Sequence, residues 1–239
     1  MLLLDSGMNA RSIRRKISTL KSYYKFLIKQ GEISFSPMDR IVIPKIEKSL
    51  PTFIPDSQTS KLQDYKNIDD FLQMRDFLVV EILYWTGMRR SELVGLKIRD
   101  IDFVGRQIKV LGKGKKQRFI PIEQTLIEQI RHYEALKELY FNGKDYDKTF
   151  LIVSNTGASP YPELINRIVK RFLQELTTVE KKSPHILRHT FATHLLNNGA
   201  DINDIKELLG HSSLAATQVY THNSFEKLKK IYKQAHPRA

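Results

Sequence analysis

Cysteine is absent from all 239 residues. Its absence excludes disulfides, thiolate-bound zinc and a cysteine nucleophile, and it fits a reducing compartment. Long hydrophobic runs are also missing. The apolar stretch Phe77 to Val80 stops at Glu81, too soon to span a bilayer. The opening Met1-Leu2-Leu3-Leu4-Asp5 has no basic region and too short an apolar one to read as a signal peptide, so a cytoplasmic protein with no membrane partner is expected. Internal repeats and low-complexity tracts are lacking. Acidic residues are scarce against basic ones: 26 Asp and Glu face 39 Lys and Arg, a formal charge of +13. A chain this basic is suited to a polyanion, whether nucleic acid or an anionic surface.

The remaining pattern is mostly helical. Residues 9–30 carry Ile13, Ile17, Leu20, Tyr24 and Leu27 at helical spacing, with Asn9 as a cap and Gly31 as a stop. Arg11, Arg14, Arg15, Lys21 and Lys25 decorate this helix, either as an ordinary solvated face or as a surface laid against DNA. Pro37, Pro44, Pro51 and Pro55 then interrupt regular structure. We therefore divide the chain into an N-terminal part at 1–48, a linker at 49–56 and a main domain at 57–239. In the main domain, helices are expected at 57–86 and 90–96. Three short β-like runs follow at 98–103, 107–111 and 118–122, forming an antiparallel meander. Helices resume at 123–141, 161–177, 184–198, 202–209, 213–220 and 224–234. The fold class is mainly α with a small three-stranded antiparallel sheet.

Four local signals carry chemistry. In Ser183-Pro184-His185-Ile186-Leu187-Arg188-His189, a helix begins at Pro184, and His185 and Arg188 share one side of its first turn. A cation and a donor at a helix start suit a phosphate. His185 and His189 are spaced like zinc ligands, but Ile186 stands where a zincin needs Glu, so no metal is expected. In Thr86-Gly87-Met88-Arg89-Arg90-Ser91-Glu92-Leu93, Arg89 falls in the tight joint between two helices, and Glu92 can orient it. Gly112-Lys113-Gly114-Lys115-Lys116-Gln117-Arg118 reads as a basic hairpin tip able to touch phosphates. Gly210-His211-Ser212-Ser213 precedes Thr217-Gln218-Val219-Tyr220-Thr221-His222. Each signal alone has an ordinary reading: surface histidines, a surface arginine, a solvated hairpin, a packing tyrosine.

Together, in this order and spacing, they resemble the tyrosine recombinases of the phage integrase family, Xer-type members above all. The resemblance runs from about residue 9 to the C-terminus and rests on T-G-M-R-R-S-E-L at 86–93, G-K-G-K-K at 112–116, S-P-H-I-L-R-H-T-F-A-T-H-L-L at 183–196, L-L-G-H-S-S at 208–213 and Q-V-Y-T-H at 218–222. It implies a recombinase catalytic fold behind a helical, SAM-like core-binding domain that is short or truncated here. It also implies a site-specific recombinase that cuts and rejoins DNA through a 3′-phosphotyrosine, with Tyr220 as nucleophile. Arg89 and Arg188 would clamp the phosphate, His185 and His211 would complete the cage, and Lys113 would protonate the leaving group. Glu92 and His189 would support these groups. Lys115, Lys116 and Arg118 would join the basic residues of helix 9–30 in holding DNA. No cofactor, metal or ATP is implied.

The implied partner is double-stranded DNA, bound by a tetramer on two sites from a free monomer or weak dimer, with a partner recombinase or accessory protein. In such a tetramer the last helix, with Phe225, Leu228 and Ile231, would dock on a neighbouring protomer or fold back on its own domain. The cellular place would be cytoplasmic and nucleoid-associated. Two other readings share the residues: a catalytically idle DNA-binding protein of the same descent, and a type IB topoisomerase.

Overall fold

The computed structural model describes residues 7–44, 52–60, 62, 68–112, 117–210 and 222–237, the last stretch with side chains from Leu228 onward. The expected helix at 213–220 lies outside the described residues. The chain divides into two compact units, residues 1–50 and 51–239.

The first unit is built on α1 (Ala10–Gln30). The Asn9 side chain accepts from the Arg11 amide at 2.8 Å, and Gly31 ends the helix in the left-handed region at φ 79°. Ile13 and Ile17 are buried with Met38, and Met8, Tyr24 and Ile43 pack against them. The apolar stripe is thus narrower than its periodicity predicts, since Leu20 is exposed. Arg11, Arg14, Arg15 and Lys25 are exposed and Lys21 is half-buried.

The second unit begins with residues 52–56, the end of the stretch read as a linker. They are fastened down: Ile54 is fully buried, and its amide donates to Thr190 Oγ1 at 2.9 Å. His194 Nε2 meets the Ile54 carbonyl at 2.9 Å, and its Nδ1 lies 2.9 Å from Asp56 Oδ1. The helical region expected at 57–86 is not one continuous helix, since residues 68–70 are not helical. α2 covers only Asp56–Thr59, and α3 (Phe71–Thr86) starts afresh where Asp70 accepts from the Gln73 amide. α3 is buried on every side, as a helix apolar all round must be. α5 (Gln124–Tyr140), α6 (Pro162–Leu176) and α7 (Pro184–Asn197) pack around it.

After α4 (Arg90–Val94) the chain meets a second departure. The strand expected at 98–103 is a 3-10 turn, Ile98–Asp100, followed by a two-residue strand β1 (Ile101–Asp102). The Asp100 carboxylate accepts from the Lys97 amide at 3.2 Å and bends the chain there. β2 (Gln107–Leu111) and β3 (Gln117–Pro121) form the expected hairpin, registered from Gln107 opposite Pro121 to Leu111 opposite Gln117. The sheet order is β1-β2-β3, all antiparallel.

α8 (Ile202–Leu209) and α9 (His222–Ala235) complete the described unit. Leu228 and Tyr232 are buried against their own unit, and Tyr232 Oη donates to the Trp85 carbonyl at 3.0 Å. No helix among the described residues is long and apolar enough to cross a membrane.

Candidate active site

The joint between α3 and α4 sets the first arginine. Gly87 closes α3 at φ 57°, a conformation that disfavours any side chain. A Cβ there would lie 2.4 Å from Phe191 Cδ1 and 2.8 Å from Leu209 Cδ2, so the joint packs directly on α7 and α8. Two residues later Arg89 caps α4, with about a third of its side chain exposed. Glu92, three residues on, reaches back. Its Oε2 accepts from the Arg89 amide at 2.7 Å and its Oε1 from Arg89 Nη1 at 2.9 Å. The capping-box geometry thereby fixes both backbone and guanidinium.

Arg188 comes from the first turn of α7 and is buried. Nη1 donates to the Gly87 carbonyl at 2.6 Å and Nη2 to the Leu209 carbonyl at 2.7 Å. Burial first, then the neighbouring Arg89 and Arg118, lower its pKa to about 10, against the opposing pull of Glu92. The group stays cationic at neutral pH.

Arg118 departs from the DNA contact that the resemblance implies at the hairpin tip: only 4% of it is exposed. Strand alternation turns it inward beside Ile120, on the face away from Gln117 and Phe119. Its Nη1 and Nη2 pair with the two oxygens of Glu92 at 2.9 and 2.8 Å, and its Nε donates to the Leu208 carbonyl at 2.8 Å. Burial alone would raise the Glu92 pKa, but hydrogen bonds from Arg118, its charge and the bonds from Arg89 outweigh burial and hold it below the ordinary value.

The end of α8 ties the three cations together. Arg118 meets the carbonyl of Leu208, Arg188 that of Leu209 and Arg89, at 3.5 Å, that of Gly210. The last carbonyls of a helix lack intrahelical partners and carry its negative dipole end, which favours cations. Three guanidiniums surrounding one carboxylate leave the site strongly positive, suited to a phosphate with spread negative charge.

His185 is exposed and His189 half-buried on the same α7 turn system. Lys113, Lys115, Lys116, His211 and Tyr220 lie outside the described residues. The chain reaches the Lys113 segment from Gly112 at the end of β2, and the His211 segment from Gly210 at the arginine cluster. Among the described residues no group of three or more His, Cys, Asp and Glu is placed to hold a metal ion.

Comparison with known proteins settles the lineage. Residues 52–227 match the phage integrase family, and residues 3–31 match the phage integrase N-terminal SAM-like domain. The chain is 40% identical to the tyrosine recombinase XerC of Chlorobaculum parvum, over 99% of this chain and 76% of that protein. The chain belongs to the phage integrase family of tyrosine recombinases. To the XerC of Bacillus subtilis the recombinase is 39% identical, over 98% of its own length and 78% of the relative's. Among solved structures it is similar to the XerA recombinase, at 29% identity and TM-score 0.59, covering 100% of this chain and 80% of that one. It is also similar to the XerH site-specific recombinase bound to palindromic difH substrate in a post-cleavage complex, at 25% identity and TM-score 0.70, covering 94% and 67%. The protein is a site-specific recombinase with the mainly helical fold and small sheet expected of it.

Proposed function

We propose that this recombinase binds double-stranded DNA and cuts one strand by attack of Tyr220 on a backbone phosphate. The Tyr220 oxygen forms a bond to phosphorus, the bond to the 5′ oxygen breaks, and a 3′-phosphotyrosine and a 5′-hydroxyl result. The phenol, with an ordinary pKa of about 10, gives up its proton to His185 during attack. Lys113 supplies the proton that the 5′ oxygen takes as it leaves. Arg89 and Arg188 bind the nonbridging oxygens and stabilise the charge that grows on them. His185 and His211 complete the cage, and His189 supports it from the same helix as His185. Attack by the 5′-hydroxyl of a partner strand reverses the chemistry and exchanges strands. The phosphodiester energy is kept in the covalent bond, so the reaction calls for no nucleotide and no metal.

The observation that carries this reading is the convergence of Arg89 and Arg188 on the carbonyls of Gly210 and Leu209, immediately before His211. Two fixed guanidiniums at one point form a binding site for one phosphate. The exposed Arg11, Arg14, Arg15 and Lys25, with Lys21, Lys115 and Lys116, contribute phosphate contacts that position the duplex. On two DNA sites four copies assemble, from a monomer or weak dimer in free solution. The test is incubation with nicked duplexes that trap the covalent complex, since release of a short 5′-hydroxyl fragment prevents religation. A denaturation-resistant protein–DNA adduct is the expected product.

A further inference from the structure

We propose that Arg118 is a positioning residue for strand cleavage, acting on Arg89 through the shared carboxylate of Glu92 and on the segment before His211 through the Leu208 carbonyl. The proposal rests on the phosphate-clamp reading of Arg89 above.

The geometry leads to it stepwise. Glu92 and Arg118 form a parallel two-pronged pair, with 4% of each side chain exposed. A planar guanidinium bound this way fixes the plane of the carboxylate, which a single hydrogen bond cannot do. The same two oxygens accept from Arg89: Oε1 from Nη1 and Oε2 from the amide. The plane that Arg118 imposes on Glu92 therefore sets the direction in which the Arg89 guanidinium points. The third donor of Arg118, Nε, holds the Leu208 carbonyl at 2.8 Å. Two residues onward, Gly210 turns left-handed at φ 63°, and a Cβ added to it would lie 3.1 Å from Arg118 Cδ. The arginine stem thus also forms the wall against which this turn is packed. One side chain on β3 spans two pieces of the site, the α3–α4 joint and the end of α8.

Charge supplies the second half. Glu92 is buried, and among the described residues the charged groups facing it are Arg89 from the joint, Arg118 from β3 and Arg188 from α7. Without Arg118 the carboxylate keeps its desolvation and loses its strongest partner. It would then take up a proton at a higher pH than before. A protonated Glu92 accepts less well from Arg89 and frees the guanidinium to wander. An ångström of misplacement at a reacting centre can slow a reaction by about a hundred-fold.

The experiment compares wild type with Arg118→Met, Arg118→Lys, Glu92→Gln, the double variant Arg118→Met with Glu92→Gln, and Arg89→Ala. The probe is a nicked duplex that wild type captures covalently from a random-sequence nicked library. Readouts are single-turnover adduct formation and DNA affinity between about pH 6 and about pH 8, with the Glu92 carboxyl followed by carbon NMR over the same range. Arg118→Met should cleave slower by about ten- to a hundred-fold while binding DNA within about three-fold of wild type. Its rate should fall further toward low pH, in step with protonation of Glu92, whereas wild type holds level. The double variant should lose that acid limb. Arg118→Lys keeps the charge without the fork and should fall between the two. If Arg118→Met is too unstable to assay, Arg118→Lys carries the test through the same readouts. A folded variant with the wild-type rate overturns the proposal. So does a slow Arg118→Met whose pH profile and Glu92 titration match wild type. Full cleavage by Arg89→Ala would instead overturn the clamp itself, leaving that failure distinct from this one.

Discussion

Arg188 donates from Nη1 to the Gly87 carbonyl at 2.6 Å, so the buried cation of α7 is tied to the turn that presents Arg89. The two arginines are thereby linked through backbone, although 101 residues separate Arg188 from Gly87. A change in the turn should move both.

Gly87→Ala tests this link. The added methyl meets Phe191 Cδ1 at 2.4 Å in a backbone conformation that already penalises a side chain. Overpacking and strain should cost about 1–3 kcal/mol, read by denaturant unfolding. Cleavage should drop by more than the folded fraction accounts for, because the Arg188 anchor shifts with the turn.

Glu92→Gln removes the carboxylate that Arg89 and Arg118 share beside Arg188. Breaking a buried pair by removing one partner costs about 3–5 kcal/mol, and partial exposure of Arg89 places the expected loss toward the lower end. The sign with pH follows from the lowered folded pKa of Glu92. Its stabilisation is complete above the unfolded-state pKa and is lost as pH falls through the folded one. The stability gap between wild type and Glu92→Gln, measured by urea melts, should therefore narrow in acid. A gap that widens in acid would contradict the depressed pKa.

Much of this arrangement is legible in the sequence because it depends on local signals. Asn9 and Gly31 bracket α1, Pro184 opens α7, and Gly210 closes α8 as stop residues do. The break between α2 and α3 is not legible, because Leu62 and Ile68 are themselves buried and continue the apolar rhythm across it. The 3-10 turn at Ile98–Asp100 hides in β-branched composition that reads as strand. Arg118 had a usable signal. It shares the inward face of β3 with Ile120, which argues against a solvent-facing role. Its neighbours in the lysine-rich hairpin masked that pattern. His194 had none, since its carbonyl partner Ile54 lies 140 residues away.

The leaving-group role proposed for Lys113 has its own chemical test. Lys113→Ala should slow cleavage of ordinary DNA far more than cleavage of a 5′-bridging phosphorothiolate, whose sulfur leaves without a proton. Arg89→Ala should show no comparable rescue. General acid catalysis is commonly worth about a hundred- to ten-thousand-fold, which sets the span of rescue to look for by quenched single-turnover assays. Equal rescue of both variants would contradict the division of roles.

Cleavage should proceed in EDTA and without added nucleotide, since arginine, histidine and lysine supply the charge stabilisation in this mechanism. The check is adduct formation after exhaustive chelation. Strict recovery of cleavage by magnesium or zinc would contradict it.

The most direct measurement is mass-spectrometric mapping of the protein–DNA adduct formed on a nicked duplex, for wild type and Tyr220→Phe side by side. The account predicts that wild type carries a nucleotide 3′-phosphate on Tyr220, and that Tyr220→Phe binds the same duplex but forms no adduct. An adduct on another residue, or one that persists in Tyr220→Phe, would contradict it.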